Sequence, residues 1–171
     1  IDGRGKLFKV GPYPERPQLL LMRSCRDVKI EDVFITNSGM FNVFLIQCER
    51  VLIDGIRMVS LETPNNDGID LDGCRDVVIS NCNINTLDDC IAFKNSDPRY
   101  PLRDVVVTNC ILSSRCAAIR FGPDAVADIE NVTVSNCVIR ETGLNGIKIQ
   151  EVMGATMRNL VFSNIVMDNV K

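Results

Sequence analysis

The sequence has no histidine and no tryptophan, and only two tyrosines among its 171 residues. Without histidine, the commonest general base near neutral pH and the commonest metal ligand are gone, so acid–base work falls to carboxylates. Long apolar runs are missing too. LLLM, VFLI and VVI stand out, all far short of the roughly 20 residues of a membrane-spanning helix. The net charge of −3 is spread along the chain. There is no basic stripe of the kind that binds nucleic acid and no membrane-surface helix. The eight cysteines form no CxxC pair, which removes the usual zinc spacing.

What is present is a repeat. CRDVKIEDVFI, CERVLIDGIRM, CRDVVISNCNI, LRDVVVTNCIL, IENVTVSNCVI and MRNLVFSNIVM align on Val28, Val51, Val77, Val105, Val132 and Leu160, at spacings of 23, 26, 28, 27 and 28 residues. Each copy alternates apolar and polar residues with period two, the mark of a strand with one inner face. A short β-unit recurring at this period predicts a solenoid: an all-β, right-handed parallel β-helix, forming a single domain over residues 1–171. The chain opens on Ile-Asp-Gly-Arg-Gly and closes inside a repeat. Solenoids carry capping elements at both ends, and none is legible here, so the expectation is a fragment lacking one or both caps.

Position within the repeat decides how the cysteines read. Cys25, Cys48 and Cys74 stand three residues before an anchor, where Leu102, Ile129 and Met157 stand in later coils. Cys82, Cys110 and Cys137 stand five after, in the place of Val33, Ile56 and Ile165. Exchange with Val, Ile, Leu and Met predicts small buried hydrophobes, reduced and inert, rather than disulfides or a metal site. Asn81, Asn109, Asn136 and Asn164 follow their anchors by four, with Asp32 and Gly55 in the equivalent places. They predict a polar corner of left-handed backbone.

Each coil is expected to hold two clear strands. The second recurs as DGIDLDG, DCIAFKN, AAIRFGP and NGIKIQE. Its inner ladder is Ile69/Leu71, Ile91/Phe93, Ile119/Phe121 and Ile147/Ile149. Facing outward are Asp70, Ala92, Arg120 and Lys148 in one row and Asp72, Lys94, Gly122 and Gln150 in the next. Two residues before the ladder isoleucines stand Asp67, Asp89, Ala117 and Asn145, and Asp88 precedes Asp89. A solenoid stacks such positions ~4.8 Å apart, so Asp67, Asp88 and Asp89 are expected at one corner. Like charges this close raise at least one pKa. A carboxylic acid beside a carboxylate is what glycosidic cleavage requires. Ordinary turn chemistry also favours Asp at these places, and calcium binding by the same carboxylates is a rival use.

IDGRG, RPQLLLMRSC, TNSGMFNVFLIQC, NNDGIDLDGC, NTLDDCIAFKN and NGIKIQ, in this order, make the chain resemble the family 28 glycoside hydrolases, the polygalacturonase-like pectin enzymes. NNDGID matches that family's Asn-Thr-Asp-Gly motif and LDDCIAFK its Gly-Asp-Asp-Cys motif. The resemblance implies inverting hydrolysis of galacturonan-type polymers, with Asp88 as general acid and Asp67 and Asp89 activating water. It further implies an acidic polysaccharide or oligosaccharide as partner, no cofactor and no metal, and a secreted or periplasmic location. Two departures stand out. Ala117 occupies the place of the family's histidine, and Lys148-Ile149-Gln150 replaces Arg-Ile-Lys. With Arg120 beside Lys148, they point to a divergent pectinolytic specificity, such as a rhamnogalacturonan or another substituted uronic-acid linkage. The substrate-binding candidates are Arg120, Lys148, Lys94, Gln150 and Asn66. Two other classes stay open: a β-helix polysaccharide lyase or epimerase, and a non-catalytic carbohydrate-binding β-helix.

Overall fold

The computed structural model describes residues 1–8, 15–150 and 153–171. Among them the only helical element is a single 3-10 turn, Gly5–Leu7, and every strand pairing is parallel. Strands are numbered along the chain. One six-stranded sheet stacks β1 (Leu20–Arg23), β4 (Val43–Ile46), β7 (Ile69–Asp72), β10 (Ile91–Asn95), β13 (Ala117–Ala125) and β15 (Asn145–Ile149) in that order. A second row holds β2 (Arg26–Glu31), β5 (Glu49–Asp54), β8 (Arg75–Ser80) and β11 (Leu102–Thr108). A third holds β3 (Phe34–Thr36), β6 (Arg57–Ser60), β9 (Asn83–Thr86) and β12 (Ile111–Ser114). The strands β14 (Ile129–Arg140) and β16 (Met157–Asp168) run through the corner and join these two rows into one ten-stranded sheet. The chain is a right-handed parallel β-helix, the hand that parallel crossover connections take.

A coil therefore has three strands, not the two expected. The third is short, and NINT and ILSS each carry at least as many polar as apolar residues. A four-residue window shows too few periods to separate such a strand from a loop.

The core is one stack of ladders. Ile69, Leu71, Ile91, Phe93, Ile119 and Phe121 are all fully buried, and the rings of Phe93 and Phe121 lie 4.5 Å apart between centroids. Full burial of such a side chain contributes roughly 1.5–3 kcal/mol. In the last coil Ile147 is half-buried and Ile149 exposed. All eight cysteines are free thiols; of the six that exchange with aliphatic residues, Cys48, Cys74, Cys82, Cys110 and Cys137 are buried as expected and Cys25, in the first coil, is only half-buried, while Cys90 is buried as well.

The asparagine corner is left-handed throughout. Asp32, Gly55, Asn81, Asn109, Asn136 and Asn164 have φ between 51° and 66°, and the Asn164 amide donates to Asn136 at 3.0 Å. A second left-handed row escaped the sequence pattern. It is the residue just before each anchor: Asp27, Arg50, Asp76, Asp104, Asn131 and Asn159, at φ 54–58°.

Candidate active site

The site lies at the entry to β7 and β10. Asp67 precedes β7 by two residues, Asp88 and Asp89 precede β10, and Cys116 and Ala117 enter β13 one coil further on. Gly68 makes the stacking of these entries possible. A Cβ there would sit 2.3 Å from the Cys90 carbonyl oxygen, closer than real carbon atoms approach, so any side chain would push Asp67 away from the Asp88–Asp89 turn.

A buried polar ladder holds the turns in place. Ser60, Thr86 and Ser114 end successive strands of the third row. The Thr86 and Ser114 hydroxyls both donate to the Asp88 carbonyl, at 2.6 and 2.7 Å. The Asn66 amide donates to the Ser60 carbonyl at 2.7 Å, and its oxygen accepts the backbone N–H groups of Leu87 and Asp88 at 3.0 and 3.3 Å. Asn66 was expected among the substrate-facing residues. It is fully buried, and both ends of its amide are spent on shaping the aspartate turn.

The three aspartates do come together, in unequal surroundings. Asp88 is half-buried, whereas Asp67 and Asp89 are each 4% exposed. Burial pushes the Asp67 carboxyl well above the usual carboxylate range; Asp70, Asp88 and Asp89 add to this and Lys94 opposes it. Burial also raises Asp89, opposed by a hydrogen bond from Cys116, increased by Asp88 and lowered by Arg120. The Asp88 carboxylate accepts the Asp89 backbone N–H at 3.0 Å and the Asn65 amide at 3.5 Å. Asn65 in turn is held by the buried Arg16 guanidinium at 2.6 Å.

Lys94 was also expected to face substrate. It is 7% exposed, its Nζ lies 2.5 Å from Asp70 Oδ1 and 3.3 Å from Asp67 Oδ2, and it sits 4.6 Å over the Phe41 ring. Its charge is directed at the carboxylates. Asp70 belongs to the outward row as predicted, but it is fully buried, and burial raises its carboxyl despite Lys94.

The first outward row has the expected register, whereas the second holds only from Asp72 to Lys94, because a register shift between Phe93 and Asn95 breaks its continuation to Gly122. Asp70, Ala92, Arg120 and Lys148 are successive pairing partners. Arg120 Nε lies 3.6 Å from Asp89 Oδ2, and its Nη2 donates to Gln150 Oε1 at 3.3 Å. Arg120, Lys148 and Gln150 are all partly exposed. Gly122 lets the Gln150 backbone close in; a Cβ there would lie 1.9 Å from the Gln150 carbonyl oxygen.

Sequence reasoning missed Cys116. Its sulfur and single oxygens of Asp88 and Asp89 lie within 4.8 Å of one another. As a metal site the trio is poor. Calcium takes about six to eight oxygen ligands, and the trio offers two carboxylates and a sulfur; burial, followed by Asp89 and Asp88, pushes the thiol up to about 12. A protonated thiol instead donates to the carboxylates. Its only sequence signal is its place one coil above Asp88, masked by six other cysteines that read as core.

Comparison with known proteins completes the picture. A probable polygalacturonase of Arabidopsis thaliana is 32% identical over 180 residues, covering 100% of this chain and 39% of that protein. The crystal structure of a hyperthermoactive exopolygalacturonase from Thermotoga maritima superposes with a TM-score of 0.78 at 24% identity, covering 91% of this chain and 39% of its own. A family 28 exopolygalacturonase from Yersinia enterocolitica gives 0.84 at 23%, covering 91% and 29%. The chain thus spans about two fifths of the first of these proteins, and both structures share its fold. The profile of the Glycosyl hydrolases family 28 matches residues 1–171, and the chain belongs to that family.

Proposed function

We propose that this β-helix hydrolyses glycosidic bonds of a pectin-type polysaccharide, a galacturonan or rhamnogalacturonan-like chain, with inversion. The observation that carries the reading is the convergence of Asp67, Asp88 and Asp89 from two adjacent coils at one corner, with Arg120 bound to Asp89 on the next. Asp88, the most open of the three, donates its proton to the leaving glycosidic oxygen. Asp67 and Asp89 hold a water on the opposite face of the sugar ring and take its proton as the oxygen attacks the anomeric carbon. Their raised pKa values make them stronger bases once ionised. Lys94 keeps Asp67 ionisable inside its covered site by balancing its charge.

Arg120, Lys148 and Gln150 bind the carboxylate of a uronate unit. A guanidinium offers it two parallel donors, an ammonium a point charge. With Ala117 in place of the family's histidine, no imidazole stands at the corner; the Cys116 thiol and Arg120 contact Asp89 there instead. A polymeric wall substrate places the enzyme outside the cytoplasm. Support comes from the names of the relatives, several of which are polygalacturonases.

The test is product analysis by mass and NMR on pectic oligosaccharides. A hydrolysed reducing end that first forms in the inverted configuration is expected. An unsaturated sugar with ultraviolet absorbance would assign the site to a lyase. Binding without turnover that survives Asp88→Asn would make it a binding module.

A further inference from the structure

The outward row continues beyond the aspartates in the other direction. Asp70 pairs with Phe44, and Phe44 with Leu21. From Phe44 to Arg120 is three strand spacings, ~14 Å, with the acid corner between them. The two arms of the row differ in chemistry. Arg120, Lys148 and Gln150 form one. The other starts at Phe44, in a cavity of about 260 Å³ walled by Phe41, Phe44 and Ile46 and rimmed by Arg23, Asp72 and Lys94, with Asp124 reaching its edge from the same strand as Arg120. Lys94 lines this cavity and also contacts Asp67, so the cavity adjoins the acid corner.

Its charges cancel: two cations against two carboxylates. Two of the four are already committed. Lys94 is held by Asp70 and Asp67, and Asp72 accepts the Ser96 backbone N–H and hydroxyl at 2.8 and 2.6 Å. Arg23 and Asp124 remain at the rim, both exposed, one a donor and one an acceptor. That pair suits sugar hydroxyls, whereas a substrate carboxylate would face Asp124. The wall is aromatic: Phe44 is half-buried, and Phe41 braces it edge-on at 5.0 Å between centroids. A flat apolar ring matches the C–H face of a pyranose.

We infer that this cavity binds an uncharged sugar ring, so that the cleft selects chains in which an uncharged residue and a uronate lie on opposite sides of the scissile bond. The inference rests on the aspartates being the cleaving site, and it narrows the pectic substrate to one that alternates in charge.

The test compares two oligosaccharides of equal length, one of alternating uronate and neutral sugars and one of galacturonate alone. Equilibrium binding is measured in the Asp88→Asn background, where no turnover is needed, and hydrolysis in the wild type. Phe44→Ala should weaken binding of the alternating chain roughly fivefold to tenfold, as loss of an aromatic face does, and leave the galacturonate chain nearly unchanged. Phe44→Leu, which keeps the bulk without the flat face, should do the same. Arg120→Ala should weaken both. Equal effects of the Phe44 variants on both chains, or tighter wild-type binding of the pure galacturonate, would overturn the inference while leaving the hydrolase reading intact. Phe44-dependent binding with no hydrolysis of either chain would overturn the hydrolase reading, and with it the placement about a scissile bond, and leave only a sugar-binding cavity. Failure of both chains to bind would overturn both.

Discussion

Two vertical rows of polar side chains are built by the same register and live in different solvents. On the outer sheet Arg26, Glu49, Arg75, Arg103, Glu130 and Arg158 stack in successive coils, and Glu49 is shared by Arg26, Arg50 and Arg75. Water and salt screen such pairs. On the six-stranded sheet, Asp70 and Lys94 are buried, close to the equally buried Asp67 and Asp89. There a charge is costly unless paired, and the pKa values move accordingly. Periodicity makes a row; burial makes it reactive.

The largest effect that would sharpen this contrast is at Asp88. Asp88→Asn should lower turnover roughly 10²–10⁴-fold, as loss of a general acid does, with unchanged circular dichroism and unfolding midpoint. A near-normal rate would remove the acid from its role.

Next comes Lys94. Lys94→Met strips the counter-charge from the fully buried Asp70 and should destabilise by about 3–5 kcal/mol at neutral pH, read from urea unfolding. The loss should shrink at acid pH, where Asp70 takes up a proton.

Arg120 is partly open, and its effect is smaller. Arg120→Ala should raise KM for uronate substrates roughly tenfold, the value of a charge-assisted hydrogen bond. It should do less to neutral ones. Equal effects on both would make the residue structural. Because Arg120 lowers the Asp89 carboxyl, the same variant should also move the acid limb of the pH–rate profile upward. In the wild type that limb should already lie above the ordinary aspartate value of about 3.9, since the Asp67 and Asp89 carboxyls are both raised.

The raised Asp67 carries a stability signature of defined sign. Its folded pKa lies above its unfolded one, so its contribution is fully present below about pH 3.9 and is lost as pH rises through the folded value. The melting temperature of the wild type relative to Asp67→Asn should therefore fall as pH rises across that window. At the small end, Glu49→Gln on the outer sheet should leave the melting temperature unchanged at physiological salt. A clear drop would mean the outer row is not screened.

Much of this molecule is determined by its sequence alone. The repeat spacing, the period-two alternation and the exchange of Cys with Ile and Val required a parallel solenoid, because no other packing buries the same face every 23 to 28 residues. The register of Asp70, Ala92, Arg120 and Lys148 follows from that, as does the meeting of Asp67 with Asp88 and Asp89. Tertiary structure alone decided which side chains water reaches. Lys94 and Asn66 look like substrate ligands on paper, yet both are buried, and their contacts turn one into a counter-ion for Asp67 and Asp70 and the other into a clamp on the aspartate turn. Cys116 looked like one more core thiol until folding set it against two carboxylates. Burial depends on which side chains of neighbouring coils close over a position, and a periodic pattern carries no information about what covers it.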